Sequence, residues 1–245
     1  NLYQNLPDVV TLPHHFRKNG YATARFGKIF HLGVPTGNES RDDPKAWEVG
    51  SIFKDERPYP PARDSVVKVK TGKKQGLPWN ESTAPDDGLV DGAFARDAIQ
   101  WLEGGRDPAK PFFLAVGFHR PHLPFVAPAK YFDLYPLEKI VLPVEPANDI
   151  DDIPLPARNE AVPQYTMSAT PEQRRAAIRA YLATVSYMDA QAGRVLEALR
   201  RLKLDTNTIV VFAGDHGWHL GEHGLWHKRS LFEPSARVPF IVYAP

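Results

Sequence analysis

Cysteine is missing from all 245 residues. Without it there is no disulfide framework and no thiolate metal site, which argues against a small secreted fold held by cross-links. Long apolar runs are also lacking: none approaches the roughly 20 residues that cross a bilayer, so no membrane span is expected. Neither sign of charge dominates. A formal net charge of +1 argues against a general polyanion-binding surface, and so against a nucleic-acid partner, while allowing a local basic pocket. The opening Asn1-Leu2-Tyr3-Gln4-Asn5 offers neither a starting methionine nor a signal peptide. The closing run, Val238 to Pro245, is apolar and strand-like. Both ends are expected to lie inside a longer chain.

What is present suits a globular domain: 42% of the residues are hydrophobic and 24% charged, enough for a core. Residues 9 to 19 carry helical spacing and stop at Asn19-Gly20, and Tyr21 to Phe26 reads as a short strand. Residues 88 to 103 predict a helix, and Phe112 to Phe118 is a continuous apolar run of the kind found in a strand buried on both faces. The clearest helix opens at Thr170-Pro171-Glu172-Gln173, which supplies an N-cap, a first-turn proline and a capping-box partner. Its apolar stripe runs from Ile178 through Tyr181, Val185, Met188 and Val195 to Leu202. Thr208 to Ala213 and Val238 to Tyr243 are two further buried-strand candidates. Helices alternating with apolar strands predict an α/β fold with a mainly parallel sheet flanked by helices. Two stretches, 33–87 and 121–163, are rich in proline and charge and read as irregular insertions in one domain.

Sites of open α/β sheets gather beyond the carboxyl ends of strands. Three such ends carry polar groups: Lys28 with His31, His119-Arg120-Pro121-His122, and Asp215-His216-Gly217-Trp218 with Lys228 downstream. An aspartate beside an imidazole at a strand end suits a divalent cation, although a helix cap and a turn would use the same residues. Gly214 and Gly217 would let backbone come close to a ligand. His119 and His122 would otherwise bond only to backbone, and Lys28 and Lys228 would be solvated. His219-Leu220-Gly221-Glu222-His223 matches the pattern of inverted zinc peptidases. Gly217, Gly221 and Gly224 interrupt the helix that such a site needs, so the segment is expected to be a glycine-rich loop.

Taken in order, Gly27-Lys28-Ile29-Phe30-His31, Pro111 to Phe125, Tyr187-Met188-Asp189 and Gly214 to Gly224 resemble the type I, formylglycine-dependent sulfatases. Tyr135-Pro136-Leu137-Glu138 adds a likeness to their iduronate-2-sulfatase branch. The resemblance runs from about residue 10 to the end. It implies an alkaline-phosphatase-type α/β fold and hydrolysis of a sulfate ester on a sulfated carbohydrate such as an iduronate-2-sulfate unit. The family's nucleophile is a formylglycine hydrate, made from a Cys/Ser-x-Pro-x-Arg motif, and a calcium ion holds that nucleophile and a sulfate oxygen. By motif position, Asp215 and His216 resemble the late calcium ligands. Lys28 and Lys228 resemble the cations that neutralise the sulfate oxygens. His31 resembles the histidine that assists the formylglycine, and His122 the one beside the leaving oxygen. Trp218 would stack on a sugar ring or pack internally.

The departure from the family pattern is specific. No Cys/Ser-x-Pro-x-Arg motif occurs in these residues, and no Asp-Asp pair stands in a plausible early strand, since Asp42-Asp43 and Asp86-Asp87 sit in irregular chain. This chain alone is therefore expected to be inactive. The alternatives are a phosphatase or phosphonate hydrolase of the same superfamily, and an inactive module that binds sulfated ligands. The substrate class implies a periplasmic or extracellular location, or a lysosomal one in an animal.

Overall fold

The computed structural model describes residues 5–30, 43–51, 62–66, 77–144, 146–149, 151–154 and 169–245. The chain divides into two compact units, each assembled from three stretches. Asn1–Pro61, Thr83–His122 and Ser186–Leu204 form the first, and Ala62–Ser82, Leu123–Val185 and Asp205–Pro245 the second.

In the first unit, helix α1 (Leu12–Lys18) begins where the Thr11 hydroxyl accepts the His14 N–H and ends at Asn19. Gly20 follows with φ +84°, a left-handed stop that suits glycine. Strand β1 (Ala22–Gly27) is the buried centre of a three-stranded parallel sheet, with β2 (Val49–Ser51) on one side and β5 (Phe112–Gly117) on the other. Helix α2 (Val90–Gln100) precedes β5 and widens into a π-type turn over Trp101–Gly105. Phe94, Ala95, Ala98, Trp101 and Leu102 are its buried face. The long helix α4 (Pro171–Arg201) gives its second half to this unit. There the Tyr187 hydroxyl accepts the Gly92 N–H at 2.7 Å and donates to the Asp86 carbonyl at 2.9 Å, tying α4 to the start of α2.

The second unit holds a sheet in which β3 (Ala62–Val66) runs antiparallel to β4 (Trp79–Ser82) and β4 parallel to β6 (Phe125–Pro128). Both β4 and β6 are buried throughout. Glu81 is 2% exposed, and its charge is met by Arg63 and, at 3.6 Å, by Arg179 of α4. Arg63 also donates to Asp133, just past the short helix α3 (Ala129–Phe132), and this bond holds the Asp133 carboxyl below the usual carboxylate range. The capping box forms as predicted: the Thr170 N–H donates to the Gln173 side chain at 2.9 Å, and the Gln173 N–H to the Thr170 hydroxyl at 3.3 Å. Strands β7 (Val210–Ala213) and β8 (Phe240–Tyr243), with the short helix α5 (Glu233–Ala236) between them, complete the unit.

The α/β class and the parallel sheet follow the sequence. Four details differ. The strands at 208–213 and 238–243 pair with each other in an antiparallel ladder, and all but Val210 of β7 and β8 is exposed. A two-stranded sheet has two faces, and no described element covers these. β5 is half-buried because it forms an edge of its sheet. On α4 the buried face keeps helical spacing and includes Ile178, Val195 and Leu199 of the expected stripe, but it also takes in Ala177, Ala180, Ala183, Thr184, Tyr187, Gln191 and Ala198, while Leu196 stays 44% exposed. The stretches read as irregular contain β2, β3, β4 and β6.

Candidate active site

Two strand ends in the first unit bring candidate residues out side by side. Gly27 closes β1 opposite Gly117, which closes β5. A Cβ on Gly27 would stand 2.2 Å from the Gly117 carbonyl oxygen, and one on Gly117 would stand 1.9 Å from the Lys28 carbonyl oxygen. Only glycine fits at either place, and Gly27 also has φ +91°. The Lys28 N–H then donates to the Gly117 carbonyl at 2.8 Å. Lys28 thus leaves the sheet beside the loop that carries His119 and His122. Within that loop the His122 N–H donates to the His119 carbonyl at 2.9 Å, and the two imidazole rings lie 4.8 Å apart. The Arg120–Pro121 bond is cis.

In the second unit, Asp215 and His216 follow the carboxyl end of β7. The chain from Gly217 folds back on itself: the His219 N–H donates to the His227 carbonyl at 3.0 Å, and the Gly221 N–H to the Leu225 carbonyl at 2.9 Å. This return brings Lys228 to His216, with Nζ 2.8 Å from Nε2. His216 Nδ1 lies 2.8 Å from the Gly217 carbonyl, which accepts only, so the proton sits on Nδ1 and the Nε2 lone pair faces the ammonium. Asp215 Oδ2 is 3.5 Å from the same Nε2, and its side chain is 76% exposed. Three residues chosen from the sequence therefore meet: a carboxylate, an imidazole and an ammonium.

The remaining residues read from the sequence are placed as follows, the 219–223 segment forming no α-helix, as expected. The close approach at Gly217 is to protein, since a Cβ there would stand 2.0 Å from the Pro234 carbonyl oxygen. Trp218 meets the Phe125 ring edge-on with centroids 6.2 Å apart. His219 and His223 lie on no α-helix: Glu222–Gly224 is a 3-10 turn with His223 at φ 56°. His219 is buried, with Nε2 2.7 Å from the Ser230 hydroxyl, and burial lowers its pKa. His223 pairs with Asp149 at 2.8 Å. Asp43 is buried and accepts from the Thr11 hydroxyl and the Lys45 N–H, while Asp86 accepts from Gln191 and Asp87 pairs with Arg194. Those aspartates serve packing. His31 lies outside the described residues. One buried carboxylate, Asp91, was not marked by sequence reasoning. Its only signal was an acid in the first turn of α2, where any helix favours one.

The Asp215–His216 pair offers a divalent cation suitable donors in too small a number. Among the described residues no three His, Asp or Glu gather to hold a metal ion, and calcium takes about six to eight oxygens. The pair fits as part of a ligand set.

The Sulfatase family profile matches residues 4–245. Iduronate 2-sulfatase of Mus musculus is 40% identical over 96% of this chain and 45% of its own length. A sulfatase of Formosa agariphila is 34% identical over 97% of the chain and 47% of its own. Among solved structures, the phosphonate monoester hydrolase of Agrobacterium radiobacter superposes with a TM-score of 0.68 at 20% identity, covering 95% of this chain and 52% of that one. The chain spans about half the length of the curated relatives it matches.

Proposed function

The chain belongs to the sulfatase family, and from that premise we propose that its protein hydrolyses sulfate esters on a sulfated carbohydrate, an iduronate-2-sulfate unit being the substrate class its 40% identical relative suggests. The observation that carries this reading is the meeting of Asp215, His216 and Lys228 at the end of β7.

A sulfuryl group in transfer carries negative charge on its oxygens, and fixed cations stabilise it. Lys228 and Lys28 are the cations of this chain proposed for that task. His122 would give its proton to the leaving alcohol oxygen, a role that imidazole side chains commonly fill. Asp215 and His216 would hold calcium, which when bound withdraws charge from a sulfate oxygen. The formylglycine nucleophile has no source in these residues, because no Cys/Ser-x-Pro-x-Arg motif occurs among them. His31 is proposed to assist that nucleophile on motif position alone. Trp218, near-perpendicular to the Phe125 ring, is proposed to border the sugar.

Both units are read as parts of one catalytic domain, supported by a family match that runs through both. Among the described residues no helix is long and apolar enough to cross a membrane. The compartment proposed is the one where sulfated polysaccharides are met: periplasm, cell exterior or lysosome.

The test is turnover of an aryl sulfate and of a 2-O-sulfated iduronate disaccharide by the gene product, beside aryl phosphate and phosphonate esters. Sulfate-ester turnover is expected to dominate. Preference for phosphate or phosphonate would move the protein to the superfamily's other branch. No turnover with retained binding of the sulfated disaccharide would make it a binding module.

A further inference from the structure

Behind His122 stands a carboxylate that faces no solvent. Asp91 is the second residue of α2 and is 0% exposed. Its two oxygens accept from two consecutive backbone N–H groups of the loop after β5: Oδ1 from His119 at 2.8 Å and Oδ2 from Arg120 at 2.9 Å. The His119 carbonyl in turn accepts the His122 N–H, and the His119 ring lies against the His122 ring. A continuous path of contacts thus runs from Asp91 through His119 to His122.

We propose that Asp91 is a positioning residue for His122, acting through the backbone of His119 and Arg120; this rests on the sulfate-ester reading of His122. The chemistry requires a carboxylate. Two N–H groups converge on it, and an ionised Asp presents two acceptors and no donor, whereas Asn would turn an amide N–H₂ toward one of them. Bonds to an ionised acceptor are short and strong, and a buried carboxylate is retained only against such donors. The position in the first turn of α2 adds the favourable end of the helix dipole. Asp91 therefore fixes the loop to a rigid helix and sets where the His122 ring stands, without touching substrate itself.

The experiment compares Asp91→Asn, His122→Ala and the double variant in the gene product, using aryl sulfates of graded leaving-group basicity. Asp91→Asn should lower kcat about 10²-fold, the scale of a displaced catalytic group, with KM nearly unchanged. The loss should be largest for the most basic leaving groups, a gradient that general destabilisation would not produce. The double variant should be no slower than His122→Ala, because residues acting through one group do not add. Wild-type kcat in Asp91→Asn, or losses that multiply in the double variant, overturns the proposal. Wild-type rates in His122→Ala overturn the reading of His122 instead. Amide hydrogen exchange in the unmodified protein decides the loop-holding separately, and also serves if Asp91→Asn does not fold. Protection of the His119 and Arg120 amides at the level of β5 supports it, and exchange at open-loop rates refutes it.

Discussion

Lys228 Nζ sits 2.8 Å from His216 Nε2, so the ammonium uses the lone pair that a metal ion would need. The two cannot share it. Replacing Lys228 by alanine should therefore have effects of opposite sign. Metal affinity should rise about thirtyfold, since an ammonium about 4 Å from a divalent ion costs about 2 kcal/mol even in water. Sulfate-ester turnover should fall about 10²-fold. Calcium titration calorimetry and an aryl-sulfate assay on the same preparation check both halves. Affinity and turnover falling together would mean that Lys228 supports the metal site.

Asp215 is the one carboxylate in the cluster, and its open side chain has little to contribute to packing. Asp215→Ala is expected to reduce the calcium content of the gene product while leaving its thermal transition in place. The 245-residue chain by itself should bind calcium weakly, with two donors where about six to eight are used. It should turn over no aryl sulfate, because it contains no Cys/Ser-x-Pro-x-Arg motif from which formylglycine is made. Robust turnover by the chain alone would remove the formylglycine mechanism.

Arg179 donates to the Tyr135 carbonyl at 2.9 Å and the Phe132 carbonyl at 3.2 Å, lies over the Phe132 ring, and stands 3.6 Å from Glu81. Arg179→Ala should destabilise by about 2–4 kcal/mol, the range for removing charged hydrogen bonds beside a buried partner. Arg179→Lys should recover only part, since an ammonium cannot reproduce the planar fork. Urea unfolding midpoints measure this, and an unchanged midpoint would leave the Glu81 charge to Arg63 alone.

His219 gives the pH dependence its sign. Burial lowers its folded pKa, outweighing the opposite pull of the Glu222 carbonyl. Below about pH 6.5 the unfolded chain takes up a proton that the folded chain does not, so stability falls as pH drops through the folded pKa. Above pH 6.5 this group has no effect. Thermal melts from pH 7.5 to 5 should show the decline. A His219→Gln variant, less stable at pH 7.5, should show a flatter curve.

Exposed apolar area on β7 and β8 predicts the solution behaviour of the chain. Val211, Phe240, Ile241, Val242 and Tyr243 are each more than half exposed, a patch of the kind that associates. The isolated 245-residue chain should bind a hydrophobic dye and sediment above monomer mass at micromolar concentration. Phe240→Lys with Val242→Glu should reduce both signals, and monomeric, dye-free behaviour of the unmodified chain would contradict the exposure of these strands.

Legibility in the sequence tracked how local each signal was. Helix α4 was readable because Thr170, Pro171 and Gln173 build its cap from four consecutive residues. The strand ends bearing Lys28, His122 and Asp215 were readable because an apolar run stops at a polar group. Strand β4 was hidden: Asn80, Glu81 and Ser82 look like surface and are buried, and what allows it for Glu81 is Arg63 and Arg179, the latter about a hundred positions downstream. Asp91 was hidden likewise, because its partners are amides 28 and 29 residues away and an amide leaves no mark on sequence. The surroundings of β7 and β8 were misread because an apolar run signals preference for burial and says nothing of what covers it.

Gly27 and Gly117 carry no reactive atom, yet they set the tolerance of the molecule to mutation. Every amino-acid substitution at either position introduces a Cβ into a space already held by a main-chain oxygen. The damage would fall on the spacing between Lys28 and the His122 loop. Inherited or selected loss of activity should therefore concentrate at two positions that no inventory of functional groups would name, and neither could be rescued by restoring charge, polarity or size.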